Sequence, residues 1–127
     1  MFKDTKAFGG FSVDDLEAAK QFYGDVLGLN IIDQDGMGIT LDIASSNGVF
    51  VYPKPNHQPA TFTILNFPVD DIDQAMEDLE AKDVVFEHYE GMGQDEKGVL
   101  RGKAEGKGPD IAWFKDPAGN ILSILQD

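Results

Sequence analysis

One short pattern occurs twice in the chain and divides it into two similar halves. Phe11-Ser12-Val13-Asp14-Asp15-Leu16 returns 56 positions later as Phe67-Pro68-Val69-Asp70-Asp71-Ile72. Each copy follows an apolar run typical of a strand and precedes a run whose apolar residues have helical spacing. Such a repeat indicates a tandem of one supersecondary unit, so the fold has to accommodate two like modules.

The repeated pattern is predicted to end a strand and begin a helix. Asp14 and Asp70 are predicted as the N-caps, with Glu17 and Asp73 three residues further on in each case. Gly28 is predicted to end the first helix in a left-handed conformation. From the periodicity of their apolar residues, the helices are predicted over residues 15–27 and 71–82.

Apolar, β-branched and aromatic runs predict four strands in each module. They lie at residues 5–13, 29–33, 39–43 and 49–52, and at residues 61–67, 84–89, 111–115 and 121–125. Ser45-Ser46-Asn47-Gly48 is predicted as a hairpin turn, and Asp116-Pro117-Ala118-Gly119-Asn120 as a tight turn. The glycine-rich residues 91–110 are predicted to form a mobile loop or a loose hairpin.

The predicted fold class is therefore α+β, with tandem βαβββ modules that form curved mixed sheets within one domain of 127 residues. Residues 1–52 are predicted as the first module and residues 60–127 as the second. Residues 53–59, which contain three prolines, are predicted as the linker.

Composition excludes several classes of function. The net charge of −13 argues against a nucleic-acid partner, because phosphate backbones are bound largely by lysine and arginine. The absence of cysteine excludes disulfides, thiolate metal sites and cysteine nucleophiles. No apolar run has the length of a signal peptide or a membrane span, so a cytoplasmic protein without a membrane partner is expected.

The first copy of the pattern, its continuation to Tyr23 and Leu27-Gly28-Leu29, and the run from Phe114 to Asn120 together resemble the vicinal oxygen chelate superfamily. That superfamily includes glyoxalase I, bleomycin resistance proteins, extradiol dioxygenases and methylmalonyl-CoA epimerase. The resemblance covers essentially the whole chain. Its motif residues are caps, core and turn, so it implies an architecture rather than a reaction.

In metal-dependent members, the resemblance implies, each module supplies one ligand from its first strand and one carboxylate from its last. The corresponding positions here are Phe8, Val51, Ile64 and Ser123, and none of these side chains is a metal ligand. Divalent metals need several imidazole or carboxylate donors. The superfamily's metal site is therefore predicted to be absent, and no cofactor is predicted.

The leading hypothesis is a metal-independent protein of this family that binds a small organic molecule in the cleft of the curved sheets. An apolar concave surface with a few hydroxyl groups suits such a ligand, although the same side chains could instead fill the core. The predicted ligand-binding residues are Phe8, Tyr52, Phe62, Thr63, Trp113 and Ser123.

Two alternatives come from other classes of function. One is a lyase-type or isomerase-type enzyme that uses Glu87 and His88, or a replacement metal site that uses His57 or His88. The other is a dimeric interaction domain without a ligand. A homodimer is implied by the resemblance alone.

Overall fold

A computed structural model describes residues 1–44 and 46–127. The chain forms two compact units, Met1–Pro59 and Ala60–Asp127, which we call the first and the second unit. Each unit contains its own four-stranded mixed sheet and one main helix. The predicted α+β class with tandem βαβββ modules is thereby confirmed.

The first unit begins with a strand and a helix and continues with three strands. Its sheet has the order β1-β4-β3-β2, in which β1 and β4 run parallel and the other neighbours antiparallel. Helix α1 continues directly into a π-helical turn, Gln21–Val26. The elements are β1 Gly9–Val13, α1 Leu16–Lys20, β2 Asn30–Asp33, β3 Ile39–Asp42 and β4 Val49–Pro53.

The second unit repeats this topology. Its sheet has the order β5-β8-β7-β6, in which the edge strand β5 runs parallel to its neighbour β8 and the other neighbours run antiparallel. A short 3-10 turn, Lys103–Glu105, follows the sixth strand. The elements are β5 Thr63–Pro68, α2 Ile72–Glu80, β6 Leu100–Arg101, β7 Asp110–Lys115 and β8 Ile121–Gln126.

Each unit buries one face of its sheet. Because side chains alternate between the two faces of a strand, the inward positions recur every second residue. The buried apolar residues of the first unit include Val13, Ala19, Tyr23, Ile39, Leu41 and Val51. Those of the second include Ile72, Met76, Ala112, Phe114, Leu122 and Ile124. On the opposite face of β8, Ser123 is buried as well.

Each main helix begins one residue later than predicted, because its N-cap is the second aspartate of the repeated pattern and not the first. Asp15 accepts a hydrogen bond from Ala18 N at 3.2 Å, and Asp71 accepts one from Gln74 N at 3.1 Å. Both aspartates keep an extended backbone, so their carboxylates reach the free amides of the first helical turn. The prediction of Asp14 and Asp70 as N-caps is therefore wrong.

The tight turn between the last two strands forms as predicted. The turn at residues 116–120 is confirmed, since Asp116 Oδ1 accepts hydrogen bonds from Ala118 N and Asn120 N, each at 2.9 Å. The predicted hairpin at residues 45–48 includes Ser45, which lies outside the described residues. Gly28 ends the first helical segment with φ +74°, as predicted.

The strand predicted at residues 84–89 is wrong. Only Phe86 pairs there, through an isolated bridge to Phe114, and Glu87 N donates to Trp113 O at 2.8 Å. Beyond this point the backbone bonds to a side chain, because Tyr89 N donates to Gln94 Oε1 at 2.6 Å. The place of this strand in the sheet is taken by the two residues of β6.

Within residues 91–110, β6 pairs with the start of β7, so the hairpin is the predicted alternative that forms, and ion pairs anchor the segment. Arg101 Nη2 lies 2.9 Å from Asp73 Oδ1, and Arg101 Nε lies 3.0 Å from Asp95 Oδ2. Lys97 also pairs with Asp73. Hydrogen bonds from Arg101 and Lys97 lower the pKa of the Asp73 carboxyl to about 2. Asp73 therefore fastens this segment to the start of α2 instead of capping the helix.

Candidate functional site

The strand register fixes which residues occupy the positions expected for a metal site. Ser123 pairs with Asn66, which lies one residue before the second copy of the repeated pattern. Gly10 lies one residue before the first copy, and it pairs with Phe50. Phe50 is therefore the counterpart of Ser123, and the position implied at Val51 is wrong. Val51 is fully buried on the core face, because a shift of one residue along a strand reverses the face.

A β-bulge changes the first strand of the second unit. Thr63 pairs with Ile121 and Leu65 with Leu122, so Ile64 is the extra residue between them. A bulge of this kind alters which side chain faces the open side of the sheet. Thr63, and not Ile64, lines the pocket that is described below.

The side chains at these positions do not fit the metal site that the family resemblance implies. Phe8 and Phe50 present phenyl rings, while Thr63 and Ser123 present hydroxyl groups. A divalent cation needs several carboxylate or imidazole donors, and these four positions supply none. Within residues 1–44 and 46–127, no three histidine or acidic side chains are grouped so that they could hold a metal ion.

The second unit contains a pocket with an aromatic wall, which we call the Trp113 pocket. Its volume is about 320 Å³. Three of the predicted ligand-binding residues, Phe62, Thr63 and Trp113, come together in it. Its lining consists of Thr61, Phe62, Thr63, Tyr89, Met92, Trp113 and Ile121.

A hydrogen bond fixes the indole ring in this pocket. Trp113 Nε1 donates to Thr63 Oγ1 at 3.1 Å, which joins the middle of β7 to the start of β5. Tyr89 lies edge-on to Trp113, with ring centroids 5.8 Å apart and an interplanar angle of 72°. Trp113 therefore presents a large apolar surface whose one polar atom is already paired.

Tyr89 is a residue of this pocket that the sequence reasoning missed. Its hydroxyl oxygen is buried and has no hydrogen-bond partner among the described residues. Burial raises the pKa of this hydroxyl, and the nearby Glu87 carboxylate adds to the effect, so the group keeps its proton at neutral pH. The only signal in the sequence is an aromatic residue two positions before a glycine-rich segment.

The segment that carries Tyr89 is held by one amide side chain. Gln94 Nε2 donates to Glu87 O at 3.0 Å and to Gly98 O at 2.7 Å, while Gln94 Oε1 accepts from Tyr89 N. These three bonds replace the ladder of a regular strand. Gln94 thus fixes the backbone of the pocket wall although it does not line the pocket.

Ser123 lies in the sheet opposite Trp113 and is fully buried. Its hydroxyl donates to Asn66 Oδ1 at 2.5 Å. The pair satisfies a buried polar group and joins β8 to β5. Ser123 therefore supports the strand that faces Trp113, and its predicted ligand contact stays a prediction.

The other two predicted ligand-binding residues belong to the first unit. Phe8, which is 67% exposed, lines a groove of about 580 Å³ together with Met37 and Phe50. Tyr52 stacks on Phe50, with ring centroids 5.7 Å apart and an interplanar angle of 19°. Of the six predicted residues, four therefore belong to the second unit, where Ser123 is buried, and two belong to the first.

The residues proposed for catalysis are partly engaged elsewhere. Glu87 pairs with Lys115 at 3.3 Å, and His88 is exposed. His57 Nδ1 lies 2.7 Å from Ser12 Oγ, so it is bonded to β1 rather than loose in the linker. These contacts do not favour the enzyme hypothesis, and it stays an untested prediction.

No helix among the described residues has the length and apolar character needed to cross a bilayer. A sequence search of curated proteins found no match. Solved structures, in contrast, match over nearly the whole chain.

Three of these structures illustrate the similarity. The antibiotic binding protein TnmS3 from Streptomyces sp. CB03234 is 20% identical, with a TM-score of 0.70 over 99% of this chain and 98% of that one. Lactoylglutathione lyase from Agrobacterium tumefaciens is 21% identical, with a TM-score of 0.69 over 99% and 96%. A glyoxalase/dioxygenase from Nostoc punctiforme is 18% identical, with a TM-score of 0.70 over 98% and 91%.

At these identities the solved structures establish the fold alone. The family follows from the sequence itself, since the family model named Glyoxalase/Bleomycin resistance protein/Dioxygenase superfamily matches residues 9–124. The chain belongs to the glyoxalase/bleomycin resistance protein/dioxygenase superfamily.

Proposed function

We propose that the protein binds a small, flat organic molecule in the Trp113 pocket without the help of a metal ion. The observation that carries this proposal is the fixed Trp113 indole, held by Thr63 and flanked by Tyr89. A rigid aromatic surface binds a flat ligand at low entropic cost, because few side-chain rotations are lost on binding.

Two further observations support the proposal. The residues at the expected metal positions are phenyl and hydroxyl side chains, which favours binding over metal-assisted chemistry. One structural relative, TnmS3, is named as an antibiotic binding protein. By analogy with the fold of that protein, we propose ligand sequestration as the role of this chain.

The proposal can be tested through the indole itself. Trp113 is the only tryptophan, so fluorescence or the single indole N–H resonance reports on this pocket alone. A panel of flat aromatic metabolites should give at least one saturable change, and EDTA should leave it unaltered. Absence of any saturable change, or loss of binding in EDTA, would contradict the proposal.

A matched pair of variants separates the pocket from the remaining apolar surface. Phe62 and Val85 are both exposed apolar residues of the second unit, at 68% and 75%, but only Phe62 lines the pocket. Phe62→Ala should weaken binding about five- to tenfold, as expected for the loss of one aromatic contact. Val85→Ala should leave the affinity unchanged.

We further propose that the protein forms a homodimer, as its family suggests. Exposed Phe8 and Met37, at 67% and 74%, form apolar surface in the first unit that a second copy would cover. Light scattering at micromolar concentration should give twice the mass of the chain. A mass of 13.9 kDa would contradict the dimer without affecting the ligand proposal.

A further inference from the structure

We propose that the Tyr89 hydroxyl selects ligands that carry a hydrogen-bond acceptor, such as a carbonyl oxygen, on a flat unsaturated ring. This inference rests on the proposed function, because it concerns the same pocket. Its basis is a buried hydroxyl, without a partner among the described residues, on a ring that forms part of the pocket wall.

An unpaired buried hydroxyl needs an explanation, since buried tyrosine hydroxyls usually find a partner. The phenyl ring alone would supply the same apolar wall and the same edge-on contact with Trp113. The hydroxyl adds a cost of desolvation that no contact among the described residues repays. A ligand atom that accepts a hydrogen bond from the hydroxyl would offset this cost.

The polar groups around Tyr89 are committed to other partners. The Trp113 indole N–H is a donor and already bonds to Thr63. The Glu87 carboxylate pairs with Lys115, and Gln94 Oε1 accepts from the Tyr89 backbone. The hydroxyl therefore has an unused donor, and because its oxygen is closed to solvent in the free protein, a molecule in the pocket reaches it when the Tyr89 side chain turns.

The geometry also fixes what kind of atom the hydroxyl can meet. Gln94 holds the backbone at Glu87 O and at Tyr89 N, so the Tyr89 side chain is the part that can turn toward a ligand. The hydroxyl stays protonated near neutral pH, so it offers a proton rather than a negative charge. Thr63, whose oxygen accepts from Trp113, keeps its own proton as a second donor. The pocket thus favours oxygen acceptors over donors.

The test uses two probes of similar shape, 1-indanone and indane, of which only 1-indanone carries an acceptor. Each is titrated into the labelled protein, and the single indole N–H resonance of Trp113 gives the dissociation constant. We expect 1-indanone to bind about tenfold more tightly than indane, although indane is the more hydrophobic molecule. In Tyr89→Phe this ratio should fall to about one or below.

The outcomes separate the two proposals. An unchanged ratio in Tyr89→Phe would overturn the role of Tyr89 and leave the ligand site intact. Loss of the ratio in Thr63→Val but not in Tyr89→Phe would assign the acceptor contact to Thr63 and also overturn it. No shift with either probe would overturn the proposed site, and the inference with it. Val85→Ala, which lies outside the pocket, should retain the wild-type ratio.

Discussion

Replacing Tyr89 with phenylalanine should stabilise the free protein. The substitution removes a buried hydroxyl without a partner among the described residues and keeps the ring that packs against Trp113. An unsatisfied buried polar group costs about 1–3 kcal/mol, and the small void left by the oxygen returns part of this. We expect a net gain of about 1 kcal/mol. For a chain of 127 residues, that gain corresponds to a rise in Tm of about 3–5 °C.

Differential scanning calorimetry at pH 7 without ligand measures this change directly. Tyr52→Phe is the matched control, because the half-buried Tyr52 is not among the residues with an unpaired buried atom. Its Tm should stay within about 1 °C of wild type, as is usual for changes away from buried polar groups. A fall in Tm for Tyr89→Phe would show that its hydroxyl is paired in solution, and the reasoning about an available donor would then be wrong.

Three other predictions concern the framework of the second unit and the first sheet. The pKa of the Asp73 carboxyl is about 2 in the folded protein and 3.8 ordinarily, so its contribution to stability is present above pH 4 and is lost as the pH falls toward 2. In acid denaturation curves, the difference in stability between wild type and Asp73→Asn should therefore shrink. The decrease should be only about 1 kcal/mol, because the Asp73 side chain is half exposed. Equal pH slopes for both proteins would refute the ion pair with Arg101. Gln94→Ala should cost about 1–3 kcal/mol and speed hydrogen exchange chiefly at residues 87–98, whereas uniform exchange would contradict its local role. Gly38→Ala should lower the free energy of unfolding in urea by about 2 kcal/mol or more, because φ is +154° and the new Cβ would lie 2.5 Å from a backbone oxygen. In the control Gly9→Ala the new Cβ meets nothing within 4 Å, so the stability should not change.

The parts of the fold that depend on local chemistry could be predicted from the sequence. Helical periodicity located both helices, and the turn at Asp116 follows from an aspartate, a proline and a glycine within five residues. The repeated pattern predicted the tandem topology, because each copy carries its own strand end and helix start. These signals lie within a few residues of one another, so no tertiary information is needed to interpret them.

The register could not be predicted in the same way. Val51 and Phe50 differ by one position in the sequence, but they lie on opposite faces of the sheet. The bulge at Ile64 likewise depends on how β5 pairs with a strand nearly 60 residues later. Hydrophobic pattern alone does not set register when both neighbouring residues are apolar or aromatic.

The pocket wall around Tyr89 was missed for a related reason. The run at residues 84–89 has the composition of a strand, but the backbone leaves the sheet after Glu87 and bonds to Gln94. A glutamine that replaces a strand partner leaves no periodic trace in the sequence. The site therefore combines residues that could be predicted, Thr63 and Trp113, with two that required the structure, Tyr89 and Gln94.

The Trp113 pocket combines a rigid surface with an irregular wall. Thr63 and Trp113 lie on β5 and β7, which both pair with β8 in one sheet, and they are joined by a hydrogen bond, so they supply a rigid surface. Tyr89 lies on an irregular segment, and its buried hydroxyl has no partner within residues 1–44 and 46–127, so we expect it to lower the stability of the free protein. Functional groups commonly carry such a cost, because a fully satisfied site would have nothing to offer a ligand. Tyr89→Phe should therefore be more stable and less selective, and the two effects should arise from the same hydroxyl.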